Sequence, residues 1–364
     1  MGEARWKQLQ LWGGILLGVG LLGWFVSSID FAELGAVLSD IHWGWLVVSV
    51  IAVLAHYALH GWRWKVLLAH VDPDLDWKTV WRGTTILWGF NTILPLRAGN
   101  LLRPAVVALT RNIPYTTLLF TLVAETVCDA FGVVGLVLAM LVMLPGEVND
   151  AGPLVQLKSW GIWLSAAALV GLGLVTLLST RRARTVAESM LVAVPSDRVR
   201  QQLLKIFDQL VEGMAAVGDP AQMFGALVVT ALVWGSWLLG IEATLRAFGL
   251  KIPAAGAMFI EAALTIVMMF PQAPGFLGVF QVVTEEALTL FDAPPAEAKA
   301  VALVFWTVCF VPITLLGVWD GWRMGIGLAP GSRAHAFTDL ERRAATDEVE
   351  RSDPGEAPAE DPQP

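Results

Sequence analysis

Two carboxylates and two arginines sit among apolar residues, and their spacing limits the chemistry open to them. Glu125 and Asp129 are four apart in an apolar run, hence on one helical face. Two carboxylates so placed repel each other unless one keeps its proton or an arginine lies near. Arg97 and Arg103 supply the cations, six residues apart in the stretch FNTILPLRAGNLLRP from Phe90 to Pro104. A charge at the centre of a bilayer costs about 2.5–3.5 kcal/mol, so each arginine must reach the interface, find a carboxylate or line water. Two readings stay open: snorkelling to headgroups, as for Arg111, or a wet cavity in which the guanidinium forks meet a lipid phosphate. The acid pair is likewise either a structural partner of the arginines or a substrate and proton site.

Other pairs are weaker. His56 and His60 share the i, i+4 spacing of metal ligands, but no carboxylate or cysteine in that segment completes a set, so no metal or other cofactor is expected. Glu242 and Arg246 repeat the spacing with opposite signs and read as a local helical ion pair. Cys128 and Cys309 lie inside apolar runs and read as small core residues, not a disulfide framework. No phosphate-binding GxxxxGK[ST] loop, HExxH helix or GxSxG elbow occurs. An ATP-driven pump is therefore excluded within this chain, and no enzyme is expected; an intramembrane transferase would have only Glu125 as its acid or base.

The elements that hold these groups are membrane helices. Of 364 residues, 56% are hydrophobic and 15% charged, with mean hydropathy +0.63, against about 25% charged in soluble domains. The composition gives an all-α polytopic membrane protein, with full spans expected at Leu9–Val26, Trp43–Leu68, Thr116–Leu144, Gly161–Ser179, Ala221–Phe248 and Ala298–Trp322. Trp43, Trp45, Trp62, Trp64 and Trp160, near segment ends, read as interfacial anchors. Lys and Arg at Arg5, Lys7, Arg63, Lys65, Lys78, Arg82, Arg181, Arg182 and Arg184 mark the cytoplasmic side, whereas loops Ser28–His42 and Pro145–Leu157 have none. The expected location is the inner cell membrane, multi-pass, with both termini cytoplasmic; Arg246 and Lys251 fall on the wrong side of this scheme.

Two apolar segments are too short to span. Thr84–Leu94 runs into Pro95 and Glu261–Phe270 into Pro271, and each has a glycine four residues past its proline, Gly99 and Gly275. Pro95 and Pro271 are 176 residues apart and Asp40 and Asp219 are 179 apart, so the halves match in order. Three spans precede the second copy, which inverts it, and inverted repeats with broken helices are a transporter signature. The organisation expected is a transmembrane domain over 1–330, with repeat one at 9–144 and repeat two at 161–324, two re-entrant helices, and a cytoplasmic amphipathic helix within 185–217. In that helix Val199, Leu203, Ile206, Leu210 and Met214 form the apolar stripe, which lies on lipid, packs on the protein or docks a partner. Residues 331–364 carry nine acids and four bases and read as a disordered acidic tail.

These residues resemble a flippase-like family that includes the transmembrane region of lysylphosphatidylglycerol synthases and many stand-alone bacterial membrane proteins. The resemblance rests on Arg63-Trp64, on Asn91 with Pro95, Arg97, Gly99 and Arg103, on the Glu125 and Asp129 pair, and on Pro271, Pro274, Gly275 and Gly278. Neutral Asn100, Thr126 and Gln281 stand where the family commonly has Glu, Arg and Glu. The resemblance implies lipid translocation, with a phospholipid or isoprenoid or hopanoid lipid as substrate and no nucleic acid. Arg97 and Arg103 would meet the headgroup, Asn91, Asn100, Gln272 and Gln281 would add neutral hydrogen bonds, and Glu125 and Asp129 would hold the arginines or couple protons. The alternative is a scaffold for a lipid-modifying or hopanoid-pathway enzyme.

Overall fold

The computed structural model describes residues 20–94, 97, 99–111, 113–143, 163, 166, 170, 197–213, 219–268 and 273–325. The expected span Gly161–Ser179, apart from three of its residues, and the acidic tail lie outside them, as does the start of Leu9–Val26. Among the described residues every regular element is helical. They are α1 (Gly20–Ser27), α2 (Phe31–Ser39), α3 (Trp43–Leu68), α4 (Trp77–Ile93), α5 (Gly99–Thr110), α6 (Tyr115–Met143), α7 (Asp197–Gly213), α8 (Pro220–Ala247), α9 (Ala254–Met268), α10 (Val279–Thr289) and α11 (Pro295–Arg323), with a 3₁₀ turn at Pro274–Phe276.

Four helices, α3, α6, α8 and α11, are long and apolar enough to cross a membrane, at the places expected from hydropathy. The chain is thus an all-α, multi-pass membrane protein. The helix α1 bends by 80° into α2, and Asp30 starts α2 by accepting from the Ala32 and Glu33 backbone N–H groups at 2.9 and 3.2 Å. Asp219 caps α8 in the same way, ahead of Pro220 at the first helical position. Its counterpart at the start of α3 is His42, not Asp40. The caps, 177 residues apart, keep nearly the spacing of the two break prolines.

Helices α3 and α8 run antiparallel along their length. His42 N–H donates to Ala247 O, Ser49 Oγ lies 2.7 Å from Thr244 Oγ1, and Gln222 Nε2 donates to Val66 O at 2.6 Å. Gly240 permits the approach, since a Cβ there would lie 3.0 Å from Val53. Packing in the first half recurs in the second. The helix α4 packs on α11 and α9 on α6; α5 folds onto α4 and α10 onto α9; α2 rests on α11 and α7 on α6. The α4–α11 crossing is tight because Gly89 meets Gly317: a Cβ on Gly317 would lie 2.2 Å from Thr85 O.

The break segments are longer helices than the expected runs: α4 gains a polar first turn from Trp77 to Val80, with Lys78 and Thr79, and α9 gains the apolar stretch AAGAMFI ahead of Glu261. Helix α7, whose sequence leaves docking open, packs on α6: Thr117 Oγ1 donates to Glu212 at 3.2 Å and His70 Nε2 to the Glu212 carbonyl at 2.6 Å. Arg111 pairs with Asp72 and Asp76 at 3.4 and 3.5 Å and so ties the end of α5 to the α3–α4 loop. Cys128 and Cys309 are buried free thiols. Arg246 pairs with Glu242 at 2.8 Å and stacks over Trp45.

Candidate functional site

Two arginines and two carboxylates meet between α3, α5 and α6. Arg103, 2% exposed, donates from Nη1 to Glu125 Oε2 at 2.7 Å. Arg63, 1% exposed, donates from Nη1 to Asp129 Oδ1 at 2.6 Å, and its Nη2 lies 3.8 Å from Glu125 Oε1. The quartet is formally neutral, which is the condition for holding Arg63, Arg103 and Glu125 out of water, while Asp129 stays partly exposed. The residues around it complete the arrangement. Arg103 lies over the Trp64 ring at 4.0 Å, and Trp64 Nε1 donates to Thr121 Oγ1 at 2.8 Å. Arg63 Nη2 donates to His60 Nδ1 at 3.2 Å, and Arg103 Nη2 donates to His60 O at 3.4 Å.

Partner chemistry fixes both histidines. Arginine only donates, so His60 Nδ1 accepts and its proton sits on Nε2. A carbonyl only accepts, so His56 Nδ1 donates to Val233 O at 3.0 Å. Their rings stack edge-on at 4.7 Å, with Tyr57, Trp88 and Trp237 around them. Among the described residues no cluster of metal-ligating groups forms.

Several residues therefore stand differently from what their sequence context suggests. Arg63 is no loop cation marking the cytoplasmic side; it lies inside α3 and is spent on Asp129 and Glu125. Trp64 is no interfacial anchor, because it is fully buried against Arg103. Sequence reasoning passed over Arg63 as a binding-site residue although a charge within a 26-residue apolar helix was the available signal. His60 was marked only by its spacing with His56, which points to metal and not to an arginine, and Thr230, which Arg63 Nη1 reaches at 3.4 Å, had no signal beyond its polarity.

Arg97 is placed apart from the quartet. It is exposed, adopts a left-handed φ of 52°, donates from Nη2 to Met268 O at the end of α9 and lies over the Phe276 ring at 5.7 Å. Phe276, in the second break, has φ of 57°. Left-handed non-glycine residues cost about 1–3 kcal/mol each and persist only where the surroundings hold them. The two breaks thus touch. Gly275 packs against Thr92 at the end of α4, and Trp306 Nε1 donates to Gly275 O at 2.7 Å. Asn91 Nδ2 donates to Asn100 Oδ1 at 2.9 Å, joining α4 to α5 across the first break, while Asn91 Oδ1 is buried without a partner. A Cβ on Gly99 would lie 2.2 Å from Leu87 O, so this close return requires glycine. Gln281 Oε1 accepts from the Gly278 backbone N–H at 2.7 Å and is buried, which makes it a cap for α10 in this arrangement. Pro274 opens the 3₁₀ turn. Gln272, Pro95 and Pro271 lie outside the described residues.

The halves differ in charge although they share their packing. At the start of α10 and along α11 the second half carries Phe280, Phe305, Cys309 and Phe310, joined to Trp237 and Val53 in one apolar cluster. The first half carries the ionic quartet in the corresponding region between α3, α5 and α6.

Comparison with known proteins gives three findings. A glycosyltransferase, AglD of Haloferax volcanii, is 25% identical over 326 residues; the match covers 82% of this chain and 52% of the relative, so the chain spans about half of that protein's length. No solved structure matches the chain. The family described as the lysylphosphatidylglycerol synthase TM region matches residues 11–317. At that coverage the chain belongs to the family of lysylphosphatidylglycerol synthase transmembrane regions.

Proposed function

We propose that the protein is a lipid translocator of the inner cell membrane, without catalysis of its own. Two re-entrant, inverted broken helices, α4–α5 and α9–α10, would form a polar groove for a headgroup while the acyl chains stay in lipid. The observation that carries this reading is Arg97, an exposed guanidinium at the meeting of the two breaks with no carboxylate partner among the described residues. A phosphate is what its remaining donors fit. Asn91 and Asn100, bonded to each other across the first break, would add neutral donors and acceptors. Arg103 and Arg63 would instead hold the framework, because Glu125 and Asp129 already neutralise them. Both termini would be cytoplasmic.

Reconstitution into phosphatidylethanolamine and phosphatidylglycerol vesicles with fluorescent phospholipid and isoprenoid lipid tests this. Wild type should move at least one anionic lipid between leaflets, and Arg97→Gln should not. Equal movement by both would remove Arg97 from the mechanism, and no movement of any lipid by wild type would overturn the transporter reading.

A further inference from the structure

The ionic quartet, Asp320 and the histidines all have partners, which leaves, among the described residues, one buried carboxyl side chain with neither a hydrogen bond nor an ion pair. Glu261 lies in the middle of α9, 2% exposed, and its Oε2 finds no hydrogen-bond donor. Around it on the same helix are Ala257, Met258, Ile260, Ala262 and Leu264, all members of the largest apolar cluster, to which α6 adds Leu136 and Met140. The equivalent crossing in the first half, α4 on α11, also holds one buried carboxylate, but that one is satisfied. Asp320 accepts from Thr85 Oγ1 at 2.7 Å and has Arg82 at 4.0 Å.

The titratable groups on the elements packed against α9 are already engaged or turned outward. On α6, Glu125 and Asp129 are held by Arg103 and Arg63, and Cys128 is buried beside them. On α8, Glu242 pairs with Arg246. On α10, Glu285 faces Lys299 of α11 at 3.8 Å, and Glu286 is exposed. No cation among the described residues reaches Glu261. An ionised carboxylate left unpaired in such surroundings is far more costly than the neutral acid.

We infer that Glu261 is a proton-binding site, carrying a proton in the arrangement described here and exchanging it with water when the two breaks rearrange. The inference rests on the translocator reading for its purpose, since the proton would couple lipid movement to a pH gradient. One observation connects the two. Arg97 donates to Met268 at the end of the same helix, seven residues beyond Glu261 and about 10 Å along the axis. An anionic headgroup that draws Arg97 away from Met268 frees the end of the helix that buries Glu261. The step is a simple proton transfer: the O–H bond breaks, the proton goes to water, and the carboxylate remains until it is reprotonated from the other side.

The first test does not depend on transport. The full chain in phosphatidylethanolamine and phosphatidylglycerol vesicles is treated with dicyclohexylcarbodiimide, an apolar reagent that adds the acid's O–H across its C=N bond. The modified residue is then mapped by peptide mass spectrometry. Glu261 should be the labelled carboxyl, with labelling lost as pH rises and absent in Glu261→Gln. No label at Glu261, or label on Glu125 in its place, would overturn the proton site. The second test imposes a pH gradient on the same vesicles. A one-proton coupling shifts the lipid distribution about tenfold per unit of gradient, so wild type should respond and Glu261→Gln should flip lipid with no response. Labelled wild type that flips lipid independently of the gradient would overturn the coupling. Labelled wild type that flips nothing would overturn the translocator reading, and the coupling with it, while leaving the proton site standing.

Discussion

The guanidinium of Arg103 and the carboxylate of Glu125, 22 residues apart in the chain, meet at 2.7 Å in the interior. Their pairing decides which arginine is left for a ligand. Removing one partner of a buried pair strands the other charge, at a cost of about 3–5 kcal/mol. Glu125→Ala and Arg103→Ala should therefore each lower the unfolding temperature in detergent and the yield of folded protein. The double variant should be milder than the sum of the two. Additive losses would mean that the pair does not act as a unit.

Arg97 should behave in the opposite way. It is exposed and holds no carboxylate among the described residues. Arg97→Gln should fold and accumulate like wild type while losing lipid movement, and Arg97→Lys should keep part of it, because a lysine offers charge without the planar fork. Size-exclusion profiles alongside flipping rates separate the two effects.

The α4–α11 crossing tolerates no added side chain. A Cβ on Gly317 would stand 2.2 Å from a backbone oxygen, which cannot move aside as a flexible side chain can. Gly317→Val should fail to accumulate as folded protein, whereas Gly235→Ala, with nothing within 4 Å of its new atom, should be neutral. Fluorescence-detected size exclusion of the two variants compares them directly.

Stability should depend on pH through Asp76. The Thr79 backbone N–H, donated to its carboxylate at 2.9 Å, holds this group below its usual range, with burial opposing. A depressed folded-state value means that the contribution is fully present above the ordinary carboxylate value and is lost as pH falls through the folded one. Asp76→Asn should keep the cap and flatten that acid limb. Asp76→Ala should lose the cap at every pH, at about 0.5–2 kcal/mol. Thermal unfolding between neutral and acid pH reads both.

Hydropathy alone located α3, α6, α8 and α11, because a helix in lipid must satisfy its backbone internally and needs about 20 apolar residues to cross. Proline and glycine marked where α4 and α9 end, and the i, i+4 spacing of Glu242 and Arg246 sufficed to pair them. Spacing within one helix is readable in this way since its geometry is fixed by the backbone. Partners across helices are not. Arg63 reaches Asp129 from 66 residues away, Thr85 reaches Asp320 from 235 away, and Arg97 reaches Met268 from 171 away. Those contacts depend on which faces of antiparallel helices meet and at what register. Tertiary structure therefore decided that Arg103 is neutralised while Arg97 stays open, and that Glu261 lies in an apolar cluster without a partner. The sequence itself determined that buried charges exist, since lipid forces any ionisable group in a membrane helix to find a partner, water or a proton.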